Sequence, residues 1–176
     1  MVASGAAIML VALLVLQSLF GSGLFSTKTV IATATTSNPS EQVASAYATH
    51  LAQLRARNIS AVANEYESNA IVEWAGVVPW MNGNYSGAGN IKILWGSFIG
   101  KLQNFSLSNE YQSLGVKGGV QVVSSTFDFQ GYNAVLGEMN GTVVAQDMYE
   151  PIGGSWLIAH ETWNFTHVSP NFFPST

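Results

Sequence analysis

Three histidines and ten acidic residues are the main candidates for acid–base chemistry in this chain, which contains no cysteine. Thiolate nucleophiles, disulfides and Cys-rich zinc sites are thereby excluded. Glu161 is the carboxylate whose surroundings are most telling. It falls in Ser155 to Val168, a strand-like run whose alternation separates Trp156, Ile158, His160 and Thr162 from Leu157, Ala159, Glu161, Trp163 and Phe165. The second group is too apolar to face water along its whole length. A carboxylate held there is desolvated and serves either as a general base or, when protonated, as a hydrogen-bond donor. The plainer alternative is a Glu161 that faces solvent or pairs with Arg55 or Arg57.

His50 is the second candidate. It lies on a stripe formed by Val43, Tyr47, His50, Leu51 and Leu54, where it is either a satisfied core residue or an acid–base group. On the strand preceding Glu161, either Asp147 or Gln146 points inward, since a one-residue change of register exchanges them. His160 and His167 do not form a metal site with Glu161, because adjacent and seven-apart positions on a strand divide between its faces. No metal and no cofactor is expected.

These residues need elements to position them. Asn38-Pro39-Ser40-Glu41 has a capping Asn, a Pro at the first helical position and a Glu in the first turn, so a helix is predicted over Pro39 to Arg57. Asn58 then caps a shorter helix, Ile59 to Glu67, and Ala70 to Trp74 reads as a strand. Gly76 to Gly89 reads as a loop from its Gly, Pro and Asn content. Ile91, Leu94, Trp95, Phe98 and Leu102 share one face of a third helix, about Ala88 to Leu102. Four strand-like segments follow: Phe105 to Leu114, Val120 to Phe129, Ala134 to Tyr149 and Ser155 to Val168. Helices first and a long antiparallel sheet afterwards make an α+β domain.

The first 25 residues differ from the rest. No charge occurs from Met1 to Thr27, and Ala6 to Leu16 is unbroken apolar sequence. A stretch of about 20 such residues spans a membrane as a helix, whereas the strictly apolar part also suits a signal segment. Residues 26–37 read as a Ser/Thr-rich stalk, 38–168 as the domain and 169–176 as a tail. Only 9% of residues are charged and the net charge is −4, with no basic cluster, so nucleic acid is excluded as a partner. Asn58, Asn84, Asn104, Asn140 and Asn164 each begin an Asn-x-Ser/Thr sequon. With the apolar leader, they point to a glycosylated domain at the cell surface or secreted, held in the cytoplasmic membrane by residues 1–25 if these are not cleaved.

The order of pieces carries a resemblance. A short helix ending in Asn64-Glu65-Tyr66, the strand Ala70 to Trp74, the segment Gly83-Asn84-Tyr85-Ser86-Gly87 before a helix from Asn90-Ile91, and a sheet ending in Gly154-Ser155-Trp156-Leu157-Ile158 and Glu161-Thr162-Trp163 resemble the nuclear transport factor 2-like superfamily, in its SnoaL-like branch. The resemblance implies a cone in which a curved antiparallel sheet wraps about three helices, with a mouth that admits an apolar ligand. It places the Glu161 face in the cone, with His50 opposite as an acid–base partner. Tyr47, Trp74, Trp95 and Trp163 then either line a ligand cavity or fill the core. The general base of ketosteroid-isomerase-like members is an acid at the end of the first strand, where this chain has Trp74, and Glu73 beside it points the other way. Steroid-isomerase chemistry is therefore not expected. Three roles follow: non-catalytic binding of a small ligand or assembly into a homo-oligomer; a lyase, isomerase or hydratase using Glu161 and His50; or a filament subunit with the apolar helix in its core.

Overall fold

The computed structural model describes residues 38–76 and 79–169. The expected anchor, the whole stalk and nearly all of the tail lie outside the described residues. Helix α1 spans Pro39–Arg55, with Pro39 at its start and the Asn38 side chain accepting from the Ser40 amide at 3.1 Å. Its buried face is Val43, Tyr47, His50, Leu51 and Leu54, the stripe read from the periodicity. Helix α2, Ile59–Ala63, is capped by Asn58, whose side chain accepts from the Ala61 amide at 3.2 Å. It stops four residues before the predicted end. Strand β1, Tyr66–Ala75, begins where helix was expected, because Tyr66 is drawn into the sheet beside Ile158.

A short strand β2, Gly83–Ser86, occupies part of the predicted loop and pairs with β1, Glu73 opposite Asn84. Helix α3, Ala88–Phe98, tightens into a 3₁₀ turn over Ile99–Lys101 in place of the single predicted helix. Four hairpin-connected strands complete the fold: β3 Leu102–Lys117, β4 Val120–Asn133, β5 Gly137–Ile152 and β6 Ser155–Ser169. β3, β4 and β6 are longer than predicted because polar outward residues continue the pairing past the apolar core of each run, whereas β5 keeps its predicted length and lies three residues later. The β3–β4 and β5–β6 reversals use Gly118-Gly119 and Gly153-Gly154, all with positive φ, as two-residue hairpin turns require.

The sheet order is β2-β1-β6-β5-β4-β3. It is mixed where a wholly antiparallel sheet was expected: β1 runs parallel to β6, and every other neighbouring pair is antiparallel. This is an α+β cone fold, a curved sheet whose inner face is covered by α1 and α3. The core joins Val43, Tyr47 and Leu54 of α1 and Ile91, Leu94, Trp95 and Phe98 of α3 to the inward residues of the strands.

Alternation along β6 needs one correction. Tyr149 pairs with Ile158 while Met148 pairs with His160, so Ala159 is an extra residue that shifts the phase. Ile158 is therefore buried with Glu161, Trp163 and Phe165, while Leu157 and Ala159 are only half-buried. Glu161, Trp163 and Phe165 face inward as read from the sequence. Leu157 and Ala159 do not share their face.

Candidate functional site

Glu161 has no exposed surface. The cross-strand register places Asp147 of β5 directly opposite, so Asp147 rather than Gln146 takes the inward position. Gln146 donates to Ser124 Oγ at 3.1 Å on the other face. Tyr66 of β1 donates its hydroxyl hydrogen to Glu161 Oε2, and Trp163 Nε1 donates to Oε1 at 2.5 Å. Trp95 Nε1 in turn donates to the Tyr66 hydroxyl at 2.9 Å. His50 reaches this carboxylate from α1, with Nε2 at 3.4 Å from Oε1, and its Nδ1 lies 2.7 Å from Glu65 Oε2. Glu161 thus has a cationic partner. Neither Arg55, which binds Glu110, nor Arg57, which donates to the Gly100 carbonyl, approaches it.

The charges follow from this geometry. Burial alone would lower the pKa of His50, but hydrogen bonding to Glu161 and Glu65 outweighs it and raises the value to about 10. The ring is then an imidazolium at neutral pH, with one N–H directed to each carboxylate. Asp147 is pushed well above the ordinary carboxylate range by burial and by the adjacent Glu161. Burial, then Glu161, also raises Tyr66, which stays a phenol.

Only His50 and Glu65 of this cluster border a cleft among the described residues. A cleft of about 610 Å³ lies between α1, the Asn64-Glu65 corner and the β5–β6 turn, with His50, Glu65, Tyr149 and Trp156 among its walls. Glu65 is the carboxylate that meets water there, its side chain 21% exposed, while His50 is 1% exposed and closes the floor. Trp156 Nε1 donates to Gln42 Oε1 at 2.6 Å across the cleft's edge. Beneath the floor, Tyr47 OH, Ser125 Oγ, Asp147 Oδ1 and Tyr149 OH are buried without a well-formed hydrogen bond.

The cone interior is occupied by rings. Trp74 stacks on Trp163 with centroids 5.6 Å apart and planes 7° from parallel, and Trp95 meets both edge-on at 5.3 and 4.9 Å. Phe98, Phe127 and Phe165 close around them. Tyr47 is buried on α1 with its hydroxyl toward Ser125. At the end of β1 Trp74 is buried, whereas Glu73 is exposed and lies 3.1 Å from His160 Nε2 on the outer face. Five sequon asparagines, Asn58, Asn84, Asn104, Asn140 and Asn164, are all exposed.

The structure brings together His50, Glu161 and Trp163, one of the two arrangements the sequence allows for these residues. It adds Glu65, Tyr66, Ser125 and Tyr149, which that reading did not give site roles. Glu65 and Tyr66 are hidden in sequence by the helical periodicity that runs through Glu67. Their only signal is the Asn64-Glu65-Tyr66 triplet within the family resemblance.

No family model matches the chain, and no curated protein matches it. Solved structures do. A ketosteroid isomerase-like protein from Erwinia carotovora atroseptica superposes with a TM-score of 0.61 at 13% identity, covering 73% of this chain and 97% of its own. A nuclear transport factor 2-like superfamily protein from Salmonella enterica gives 0.59 at 14%, covering 70% and 88%. A Novosphingobium aromaticivorans protein named for scytalone dehydratase gives 0.58 at 13%, covering 77% and 89%. At such identities the likeness is one of fold.

Proposed function

From the nuclear transport factor 2-like cone as premise, we propose that this chain is a membrane-tethered or secreted extracytoplasmic domain that binds a small polar molecule in the cleft above Glu65 and His50 without transforming it. The observation that carries the reading is the contrast between two spaces. The cone interior is packed with the rings of Trp74, Trp95 and Trp163, so an apolar guest would have to displace an indole. The cleft is open, has Glu41, Gln42, His50, Asn64 and Glu65 among its walls, and falls in the size range of small-molecule sites. Glu161 is sealed from it, and its oxygens are engaged by Tyr66, Trp163 and His50. Such a carboxylate organises the floor rather than collecting a proton from substrate.

The tether rests on the apolar leader, and glycosylation on five exposed acceptor asparagines. Self-association is supported by Ile71 and Val144, exposed on the open face of the sheet. A second reading keeps the acid–base role. It is favoured by His50 lying between Glu65 at the cleft and Glu161 within, and by neighbours named as isomerase-like and dehydratase.

The test is a ¹H–¹⁵N titration of the protein with a panel of neutral, cationic and anionic small molecules. Movement of the Trp156 indole and His50 signals, with Trp74, Trp95 and Trp163 unmoved, is the expected result. Displacement of the interior indoles by an apolar ligand would overturn the cleft reading. Chemical conversion of a bound molecule, lost in Glu161→Gln, would favour the enzyme.

A further inference from the structure

Resting on that cleft reading, we infer that the cleft is a recognition site for a neutral saccharide, with Trp156 against a pyranose face and Tyr149, Asn64 and Glu65 bonding its hydroxyls. The starting observation is Tyr149. It borders the cleft from β5, is 1% exposed, and its hydroxyl has no hydrogen-bond partner among the described residues. Burial, then Asp147 and Glu161, raise its pKa, so it remains a phenol with a hydrogen to donate. Buried polar groups are satisfied in the great majority of cases. Unlike the groups sealed under His50, Tyr149 has open space beside it, the cleft of about 610 Å³. A guest that places an oxygen at this wall completes it.

The edge of the cleft holds a positioned ring. Trp156 is half-buried there, and Gln42 Oε1 of α1 accepts its indole hydrogen at 2.6 Å. The donor is thereby used and the ring held in place, so what the indole still offers a guest is its π surface. Asn64, exposed at the end of α2, and Glu65, whose side chain is 21% exposed, add an amide and a carboxylate to the same cleft.

Charge narrows the class of guest. The walls carry Glu41 and Glu65 and neither Lys nor Arg, so an anion is repelled. Both acids already have a counter-charge. Glu41 is in the first turn of α1, where the helix dipole favours an acid, and Glu65 lies 2.7 Å from Nδ1 of the His50 imidazolium. A cationic guest would have to share Glu65 with His50. A wholly apolar guest would cover Glu65 and Tyr149 without bonding either, and both would lose water for nothing. A pyranose avoids all three penalties. It carries no charge, its hydroxyls donate to Glu65 and accept from Asn64 and Tyr149, and its C–H face lies on an indole.

The experiment is a ¹H–¹⁵N titration of the full chain, in a detergent without a sugar headgroup, against the methyl glycosides of glucose, galactose, mannose and N-acetylglucosamine. Benzylammonium and benzoate serve as charged controls. At least one glycoside is expected to bind saturably and to move the Trp156 indole signal, while neither control does. Trp156→Ala should weaken that glycoside by about ten-fold or more, and Trp156→Phe, which keeps a ring, should recover part of the loss. Tyr149→Phe should weaken it by about ten-fold without lowering the melting midpoint of the free protein, because the hydroxyl removed has no partner there. A hydroxyl with a purely structural role would give the reverse, a lower midpoint and unchanged affinity. Saturable binding by no glycoside, or binding undiminished in both Trp156→Ala and Tyr149→Phe, would overturn the inference. Movement of Trp156 by benzylammonium alone would also overturn it while leaving the cleft reading standing. Displacement of Trp74 or Trp163 would remove both.

Discussion

His50 is where charge, burial and position meet. A positive imidazolium that is 1% exposed is tolerable because Glu65 and Glu161 lie within 3.4 Å of it. Its folded-state value of about 10 exceeds the unperturbed 6.5, so its stabilisation is fully present below pH 6.5 and is lost as pH rises through about 10. Wild type should lose on the order of 3 kcal/mol across that window, while His50→Gln, less stable at the outset, should lose less over the same range. Urea unfolding at pH 6, 8 and 10 reads both curves, and parallel curves would mean that His50 is uncharged at neutral pH. At this scale the sequence was partly legible. The helical stripe and strand alternation placed His50 and Glu161 inside, because each depends only on local period. They left Asp147 and Gln146 unresolved, since the choice is made by the pairing of β5 with β6.

Elements carried more surprises. Periodicity located all three helices but extended α2 through Glu67, since Tyr66 suits a helical stripe as well as a strand. Only contact with Ile158 of β6 decides between them. The Ala159 bulge was illegible for the same reason: its sequence has no turn residue, and the slip appears only against Met148 and Tyr149. Gly76, by contrast, has an evident role once β1 and β6 are adjacent. Its φ is +98°, and an added Cβ would sit 2.2 Å from the Phe165 carbonyl oxygen. Gly76→Ala should therefore destabilise the domain by on the order of 3 kcal/mol, since both backbone strain and a backbone clash arise. A thermal melt checks it, and an unchanged midpoint would show that β1 ends differently.

The whole molecule has few charges with which to hold water. At 9% charged residues its solubility falls to uncharged polar side chains and, as proposed, to glycans. The five sequon asparagines lie at the corner before α2 and on β2, β3, β5 and β6, with Asn104 and Asn140 at one shared surface pocket. Asn58 can keep its helix cap when modified, because the capping atom is the side-chain oxygen. Intact mass of the protein from its native source should exceed the polypeptide by whole glycans. A bare mass, from a host that glycosylates exported proteins, would remove this reading. The α+β class was legible because composition and element order are global features. The parallel junction was not, since nothing local distinguishes a parallel neighbour from an antiparallel one.

That junction also sets an order of events. Strand β6 sits between β1 and β5, and its partner β1 lies some 90 residues earlier in the chain, so the sheet cannot be joined until β6 has been synthesised. Before then β1–β2 and β3–β4–β5 are separate pieces with an unpaired edge each, held together by no strand. Contacts so distant along the chain make folding slow. A ribosome-bound or translocating chain would remain open, and therefore threadable through a narrow pore, until its final strand emerged. A chain ending at Gly154 should accordingly show no cooperative unfolding transition by circular dichroism, and native-like melting of that truncation would show that the early strands fold without their keystone.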